Sequence, residues 1–158
     1  MRLLNSVCKV IASAYAGVPV HIEEMPNDFK RGCFYVSLTT GSAELKNINV
    51  YQDDPTFQIV YFGERNEADQ VVAENLYKVK EELKALFLLN MVVPVIPLEG
   101  VKEKQRYAKI ESYSDEMRIS EGAIYARLVL NFTEDIPKPH TEYELMEEIE
   151  ADITITNG

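Results

Sequence analysis

The sequence lacks tryptophan and is poor in cysteine and histidine, two residue types that are common in metal and catalytic centres. It contains no tryptophan, only two cysteines and only two histidines among 158 residues. Cys8 and Cys33 are too few for a disulfide framework, and neither has a partner at a spacing typical of zinc sites. His21 and His140 also lack a helix-spaced histidine or carboxylate. These shortages argue against a metal site and favour a reducing compartment.

The sequence also has no nucleophile elbow around a serine, no glycine-rich phosphate loop and no long hydrophobic run. Its seven glycines are scattered singly, as is typical of turns. The chain begins like a signal peptide, but Asn5, Ser6 and Lys9 interrupt the apolar region. No segment approaches the roughly 20 apolar residues that span a bilayer. We therefore expect a soluble protein with no membrane contact, and we find no motif for a catalytic or cofactor site in this pattern.

Acidic residues outnumber basic ones, and the excess is concentrated near the C-terminus. The formal net charge is −10, from 16 basic and 26 acidic residues. Residues 134–158 contain eight acids and one lysine and so carry −7, which leaves −3 for the other 133 residues. Such a balance argues against a sequence-specific nucleic-acid surface. One basic cluster, Lys102, Lys104, Arg106 and Lys109, has two interpretations: an edge strand protected by its lysines, or a docking surface for the acidic tail of a neighbouring copy.

Residues 66–90 have the clearest hydrophobic period in the chain. Asn66 is positioned as an N-cap, with acidic residues in the first turn and lysines nearer the other end. These signals predict an amphipathic helix that packs on a sheet. Its apolar side chains recur at the spacing of one helix face, and we interpret them as core: Ala68, Val72, Leu76, Val79, Leu83, Leu86 and Phe87.

One helix and three strands are predicted before this segment. After Gly17 the hydrophobic period changes to two, which predicts strands in VPVHIEE, CFYVSLTT and TFQIVYFG. We expect turn residues over 41–47 and an interruption of the last strand at Asp53, Asp54 and Pro55. The second strand is predicted to face the core with Phe34, Val36 and Leu38. The first helix is predicted to do so with Leu3, Val7, Val10, Ile11 and Ala14.

Further strands are predicted after the long helix. Pro94 and Pro97 in VVPVIPLEG indicate an extended segment with edge character. Residues 104–113 and 123–132 predict two strands around SDEMRISEG. The order of elements predicts an α+β fold, a mainly antiparallel sheet of about four to six strands with both helices packed on one face. Inward positions in the last strand are Ile124, Ala126, Leu128, Leu130 and Phe132.

The chain divides into a folded body and an acidic C-terminal extension. A length of 158 residues suits one hydrophobic core, so we expect a single domain over residues 1–136. An acidic extension follows over residues 137–158. It contains more apolar side chains than a purely solvating tail needs, and we therefore expect a partner surface to receive it: Met146, Ile149, Ile153 and Ile155.

The order of elements resembles the tail terminator proteins of phages and prophages from Gram-positive bacteria. The resemblance rests on a GCFYVSL strand after an acidic loop, on FQIVYFGERNEADQVVAENLYKVKEEL, and on the late hairpin YAKIESYSDEMRISEGAIYARLVLNF. It covers the chain to about residue 134. The acidic extension and the insert of Asp53, Asp54 and Pro55 depart from the family pattern.

The resemblance implies a structural protein of the virion tail that is assembled in the cytoplasm of the bacterial host, without catalysis or cofactor. Members of this family form a ring, typically a hexamer, that caps the tail tube, stops polymerisation of tube subunits and presents a surface to the head connector. The implied partners are other copies of the chain, the tail tube protein, a head-side connector protein and, in a contractile tail, the sheath protein.

Contacts with other subunits or with the tube are predicted at the departures from the family pattern and at the basic cluster. In this hypothesis the acidic extension of one subunit adds to the edge of a neighbour's sheet, and its acidic residues steer it toward residues 102–109. The predicted interface residues are Asp53, Asp54, Pro55, Lys102, Lys104, Arg106, Lys109, Met146, Ile149, Ile153 and Ile155.

Two alternative functions stay open. One is another head-tail connector or completion protein of similar construction. The other is a small metal-dependent intracellular enzyme, which would gather Asp53, Asp54 and Glu111 into one acidic site.

Overall fold

Two helices and six strands make up residues 1–137, the part of the chain that the computed structural model describes. None of the helices in this part is long and apolar enough to cross a membrane. In chain order the elements are α1 (Arg2–Ala14), β1 (Val20–Ile22), β2 (Cys33–Leu45), β3 (Val50–Phe62), α2 (Ala73–Leu88), β4 (Val92–Val95), β5 (Arg106–Arg118) and β6 (Ala123–Asp135).

The six strands form one sheet in the order β1-β2-β3-β6-β5-β4. Only β1 and β2 are parallel, and all other pairs are antiparallel. A chain of contacts places both helices on one face. Tyr15 after α1 packs on Phe34 with ring centroids 4.8 Å apart, Phe34 packs on Tyr61 at 4.9 Å, and the Tyr61 hydroxyl donates to Asn75 of α2. The predicted α+β architecture is confirmed.

The core lies between this sheet face and the two helices. Every position predicted to point inward from the last strand is buried. The α2 stripe is buried at Leu76, Val79, Leu83 and Phe87, while Leu86 is half-buried. Each fully buried aliphatic or aromatic side chain stabilises the fold by about 1.5–3 kcal/mol. From α1 the buried apolar residues are Leu3, Leu4, Val7, Cys8 and Ile11, whereas the predicted core residue Ala14 is exposed.

Helix α2 begins at Ala73, and the prediction of a helix from residue 66 is wrong at that end. The Asn66 side chain accepts hydrogen bonds from the backbone N–H groups of Ala68 at 3.0 Å and Gln70 at 2.9 Å. Asparagine competes with helical hydrogen bonding in this way, and here it closes a turn. Ala68 is consequently exposed and is not part of the core.

Strands β2 and β3 are longer and more regular than predicted. The turn between them is confined to residues 46–49, and β3 runs without interruption through Asp53, Asp54 and Pro55. Pro55 is accommodated opposite Gly41, close to a β-bulge that follows Leu38, and bulges are one of the few places where a sheet accepts proline. Leu38 is 50% exposed, contrary to the predicted inward position, because the helix layer ends there.

The late strands also extend beyond their predicted limits. Residues 114–118 belong to β5, so the loop between β5 and β6 is only residues 119–122. The prediction of an edge segment at VVPVIP is confirmed, because β4 lies at the edge of the sheet and has β5 as its one neighbour among the described strands. The predicted contact residues Met146, Ile149, Ile153 and Ile155 lie outside the described residues.

Candidate assembly surfaces

Two stretches of backbone at opposite sides of the sheet have no neighbouring strand among residues 1–137. β1 pairs only with Phe34 to Val36 of β2, so the outer edge of residues 39–45 is open. β4 pairs only with Arg106 to Lys109 of β5, so the outer edge of residues 111–118 is open. Unpaired strand edges are templates for pairing with another chain.

The two open edges also lie at opposite ends of the sheet. The pairing register aligns Cys33 with Phe62, Phe62 with Ala123, and Ala123 with Arg118. The start of β2 therefore lies at the same end as the end of β5. The open part of β2 is its last half and the open part of β5 is also its last half, so the two open edges are diagonally opposed.

The turn between β2 and β3 presents apolar side chains to solvent. Leu45 is 73% exposed and Ile48 is 87% exposed. The turn itself is held by the Asn47 side chain, which accepts a hydrogen bond from the Asn49 N–H at 2.8 Å. Ile136 donates its N–H to the Asn49 carbonyl at 2.7 Å. The chain therefore leaves the body beside this exposed turn.

Asp53 and Asp54 point to opposite faces of the sheet. The Asp54 carboxylate accepts hydrogen bonds from Gln52 and Asn131 on the helix-free face. Asp53 lies on the helix side, beside the start of α1. Burial, followed by the negative charges of Glu134 and Asp54, raises the pKa of Asp53.

The acidic site of the enzymatic alternative is not assembled. Strand β6 separates Glu111 on β5 from both aspartates on β3. The described part of the chain contains no group of three His, Cys, Asp or Glu residues placed to hold a metal ion.

The basic cluster is divided between a loop and a paired strand. Lys102 and Lys104 lie in the loop before β5 and are exposed. Arg106 lies over the Phe132 ring, 4.4 Å from its centroid, and donates to the Thr133 carbonyl. Lys109 pairs with Glu111 at 3.6 Å. The edge-strand interpretation is wrong, because β4 covers the edge of β5 at these positions.

A polar cluster around Arg2 joins the start of α1 to the far end of the sheet. Its Nη1 atom lies 3.0 Å from Glu134, its Nε atom donates to the Ile96 carbonyl at 2.7 Å, and its Nη2 atom pairs with Glu103. Tyr51 also donates its hydroxyl proton to Glu134, at 2.8 Å. Sequence reasoning missed this cluster, because no local pattern relates Arg2 to acids so far along the chain.

A family model described as Phage tail terminator protein matches residues 2–142. The chain belongs to the phage tail terminator family. No curated protein matches it. The family consists of structural proteins of the phage tail, so the chain is a virion tail component that contacts other tail components. The resemblance found in the sequence is thereby confirmed. The match ends before the predicted contact residues of the acidic extension, which begin at Met146.

This tail terminator also has an apolar groove that the sequence did not reveal. It lies between α1, the end of α2 and strand β4, has a volume of about 560 Å³, and is lined mainly by apolar side chains. The largest exposed side chain at its rim is Tyr107, which is 56% exposed. The apolar residues lining it include Val10, Leu86, Val92, Pro94 and Ile96.

Proposed function

We propose that this protein ends the growth of the phage tail tube by forming a ring on it, and that the ring presents a joining surface to the head connector. Family membership supports the terminator role. The observation that carries the ring is the pair of open strand edges at opposite sides of one sheet. In the ring, the open edge of β2 in one subunit pairs with the open edge of β5 in the next.

A contact of this kind uses two different surfaces and is therefore heterologous. Heterologous contacts generate rings when the rotation between subunits closes, whereas a two-fold contact uses the same surface twice and stops at a dimer. The two open edges are diagonally opposed and of similar length. Each subunit can therefore pair its β2 edge with one neighbour and its β5 edge with another. The resemblance to the family favours six subunits.

Paired cysteines test this contact. Ala43→Cys lies in the open edge of β2 and Ser114→Cys in the open edge of β5, and the natural Cys8 and Cys33 are both free and buried. Under mild oxidation with tail tubes present, we expect the double variant to give a ladder of covalent multimers on a denaturing gel. Each single variant should stay largely monomeric. Combining Ala43→Cys with Lys84→Cys, on the exposed side of α2, provides a matched control without a ladder.

The opposite pattern would overturn the heterologous contact. If Ala43→Cys alone or Ser114→Cys alone gave an efficient dimer, one edge would be pairing with itself, and the subunits would assemble with two-fold symmetry rather than as a ring.

Electron microscopy of tail tubes tests the terminator function itself. Tubes assembled from the tube protein are compared with and without this chain, and both their lengths and their ends are scored. We expect shorter tubes with a ring at one end when the chain is present. Tubes of unchanged length, together with binding to a head-side connector protein, would favour the alternative of another head-tail connector or completion protein.

A further inference from the structure

We propose that the C-terminal arm, residues 138–158, docks in the apolar groove between α1 and β4 of its own subunit. The groove is open and largely apolar, and its volume of about 560 Å³ lies within the range of roughly 300–1,000 Å³ that ligand sites span. Exposed apolar side chains continue beyond the groove on both sides, at Leu89, Met91 and Leu98. Apolar surface of this extent marks an interaction site.

The outer edge of β4 disfavours an occupant that extends the sheet. Ile110 donates its N–H to the Met91 carbonyl, and alternation along the ladder then points the backbone groups of Val92, Pro94 and Ile96 outward. Pro94 has no N–H to donate. The Ile96 N–H donates to Ser6 of α1 at 2.9 Å, and the Ile96 carbonyl accepts from Arg2. The Val92 N–H is thus the remaining outward donor of β4.

An occupant of the groove must therefore bind mainly through its side chains. The apolar residues Met146, Ile149 and Ile153 of the arm are spaced at i, i+3 and i+7. This is the spacing with which helical peptides fill hydrophobic grooves.

The charges of the groove rim complement those of the arm. Lys9 lines the groove, and Lys102 and Lys104 are exposed in the adjoining loop. None of these three lysines has an ion-pair partner among residues 1–137. Of the two acids in the same loop, Glu103 is paired with Arg2 and Glu99 is exposed, so the three lysines face one unpaired acid among the described residues. The arm carries six acids between residues 142 and 152. Opposite charges at a rim steer an acidic segment toward its site.

The arm of the same subunit starts close to the groove. Arg2 contacts both Glu134 and the Ile96 carbonyl, and Ile96 lines the groove. To fill the groove, the arm must run along the four-residue strand β4, which forms one of its walls. An extended chain from Pro137 to Met146 reaches up to about 30 Å, which is longer than this strand. A short tether gives an effective concentration in the millimolar range, so the arm of the same chain outcompetes a free one.

A single tryptophan reports whether the arm is docked. The sequence contains no tryptophan, so Ile149→Trp in the full chain provides one reporter. We expect blue-shifted emission and weak quenching by a soluble quencher. A docking equilibrium of ten to one, which corresponds to about 1.4 kcal/mol, would lower the quenching about tenfold. Tyr107→Asp in the groove rim should restore full quenching, whereas Ile48→Asp at the exposed β2–β3 turn should not.

A cysteine pair distinguishes the arm of the same subunit from that of a neighbour. Tyr107→Cys with Ile149→Cys should form a disulfide within one chain, which runs as a monomer on a denaturing gel even if the protein is a ring. Disulfide-linked dimers would overturn docking in the same subunit, and a fully quenched tryptophan would overturn docking altogether. Both measurements use the isolated protein, so their outcome does not depend on whether the protein caps tubes.

Discussion

The two halves of strand β2 are both extended, but they have opposite surroundings. Four of the five residues from 33 to 37 are buried, whereas all residues from 39 to 45 are exposed. The first half lies between β1 and β3 under the helix layer, and the second half has β3 as its only neighbour among the described strands. The covered half supplies the burial that drives folding, and the open half is the part left free for assembly.

The open half is nevertheless held in a defined position. β6 pairs with β3 from Phe62 to Val50, and it therefore supports the hairpin up to its turn. The Arg2 cluster ties the same end of the sheet to α1 through Glu134. A hairpin alone is marginally stable in water, so this support lets a strand with exposed side chains keep one geometry. Four changes test the contrast between the two halves.

The largest effect is expected from a charge placed in the core that packs against the covered half of β2. Leu128→Asp, or equally Leu76→Asp, would bury an unpaired carboxylate where the wild-type side chain is fully buried. We expect a loss of about 4 kcal/mol or more in the free energy of unfolding, measured by denaturant titration. Arg127→Asp, at an exposed position on the other face, is the control. An unchanged midpoint for Leu128→Asp would mean that the sheet faces are assigned wrongly.

Substitution of two glycines by alanine, one beside the core and one in the open half of β2, should have different effects on stability. A Cβ at Gly63, directly after the last residue of β3, would lie 2.6 Å from Leu76 Cδ2 and 3.1 Å from the Gly122 carbonyl oxygen. Gly63→Ala should therefore cost about 1–3 kcal/mol of stability through overpacking. A Cβ at Gly41 in the open half would meet Pro55 at an ordinary 3.7 Å. Equal melting temperatures for Gly63→Ala and Gly41→Ala would contradict the contrast.

Asp53 of β3 lies beside the start of α1, at the limit of the helix layer. Its pKa is raised mainly by burial, so the ionised carboxylate is less stable in the fold than in the unfolded chain. This cost is absent below the unfolded pKa of about 3.9, grows as the pH rises from that value to the higher folded pKa, and is constant at higher pH. Asp53→Asn should therefore stabilise the protein at neutral pH.

A melting series across pH measures this effect. The gain from Asp53→Asn should vanish once the pH falls below about 4. Asp54→Asn is the matched control: it loses hydrogen bonds that the carboxylate accepts from Gln52 and Asn131, which offsets the relief of its repulsion with Asp53, so its gain should be smaller. A similar gain from both variants would show that general acidity, not the burial of Asp53, is responsible.

The smallest effect on stability is expected at the β2–β3 turn. Leu45→Ser and Ile48→Ser remove exposed apolar side chains, so the free energy of unfolding should change by less than about 0.5 kcal/mol. We expect both to weaken tube capping, scored by tube length in electron micrographs. Tyr77→Ser, which also removes an exposed side chain but on α2, should leave capping intact. Full capping by the turn variants would remove the turn from the contact surface.

Sequence reasoning succeeded where one periodic pattern decided the outcome. The inward positions of β6 and the buried stripe of α2 from Leu76 to Phe87 follow directly from periods of two and 3.6 residues. It failed where a local signal was overruled or reinterpreted. Asn66 closes a turn rather than capping a helix, and Gly41 and Pro55 face each other within a ladder rather than ending their strands.

The sequence alone determined the fold class, the core faces of β6 and of α2 from Leu76 on, and the tail terminator family, because hydrophobic periodicity and the order of elements are properties of the chain itself. Only the tertiary structure decided which strand edges stay open, where Arg2 finds Glu134 and Glu103, and where the groove beside β4 lies. These features arise between segments far apart in the chain. No local pattern encodes them, since each depends on how unequal strand lengths and two helices fit together on one sheet.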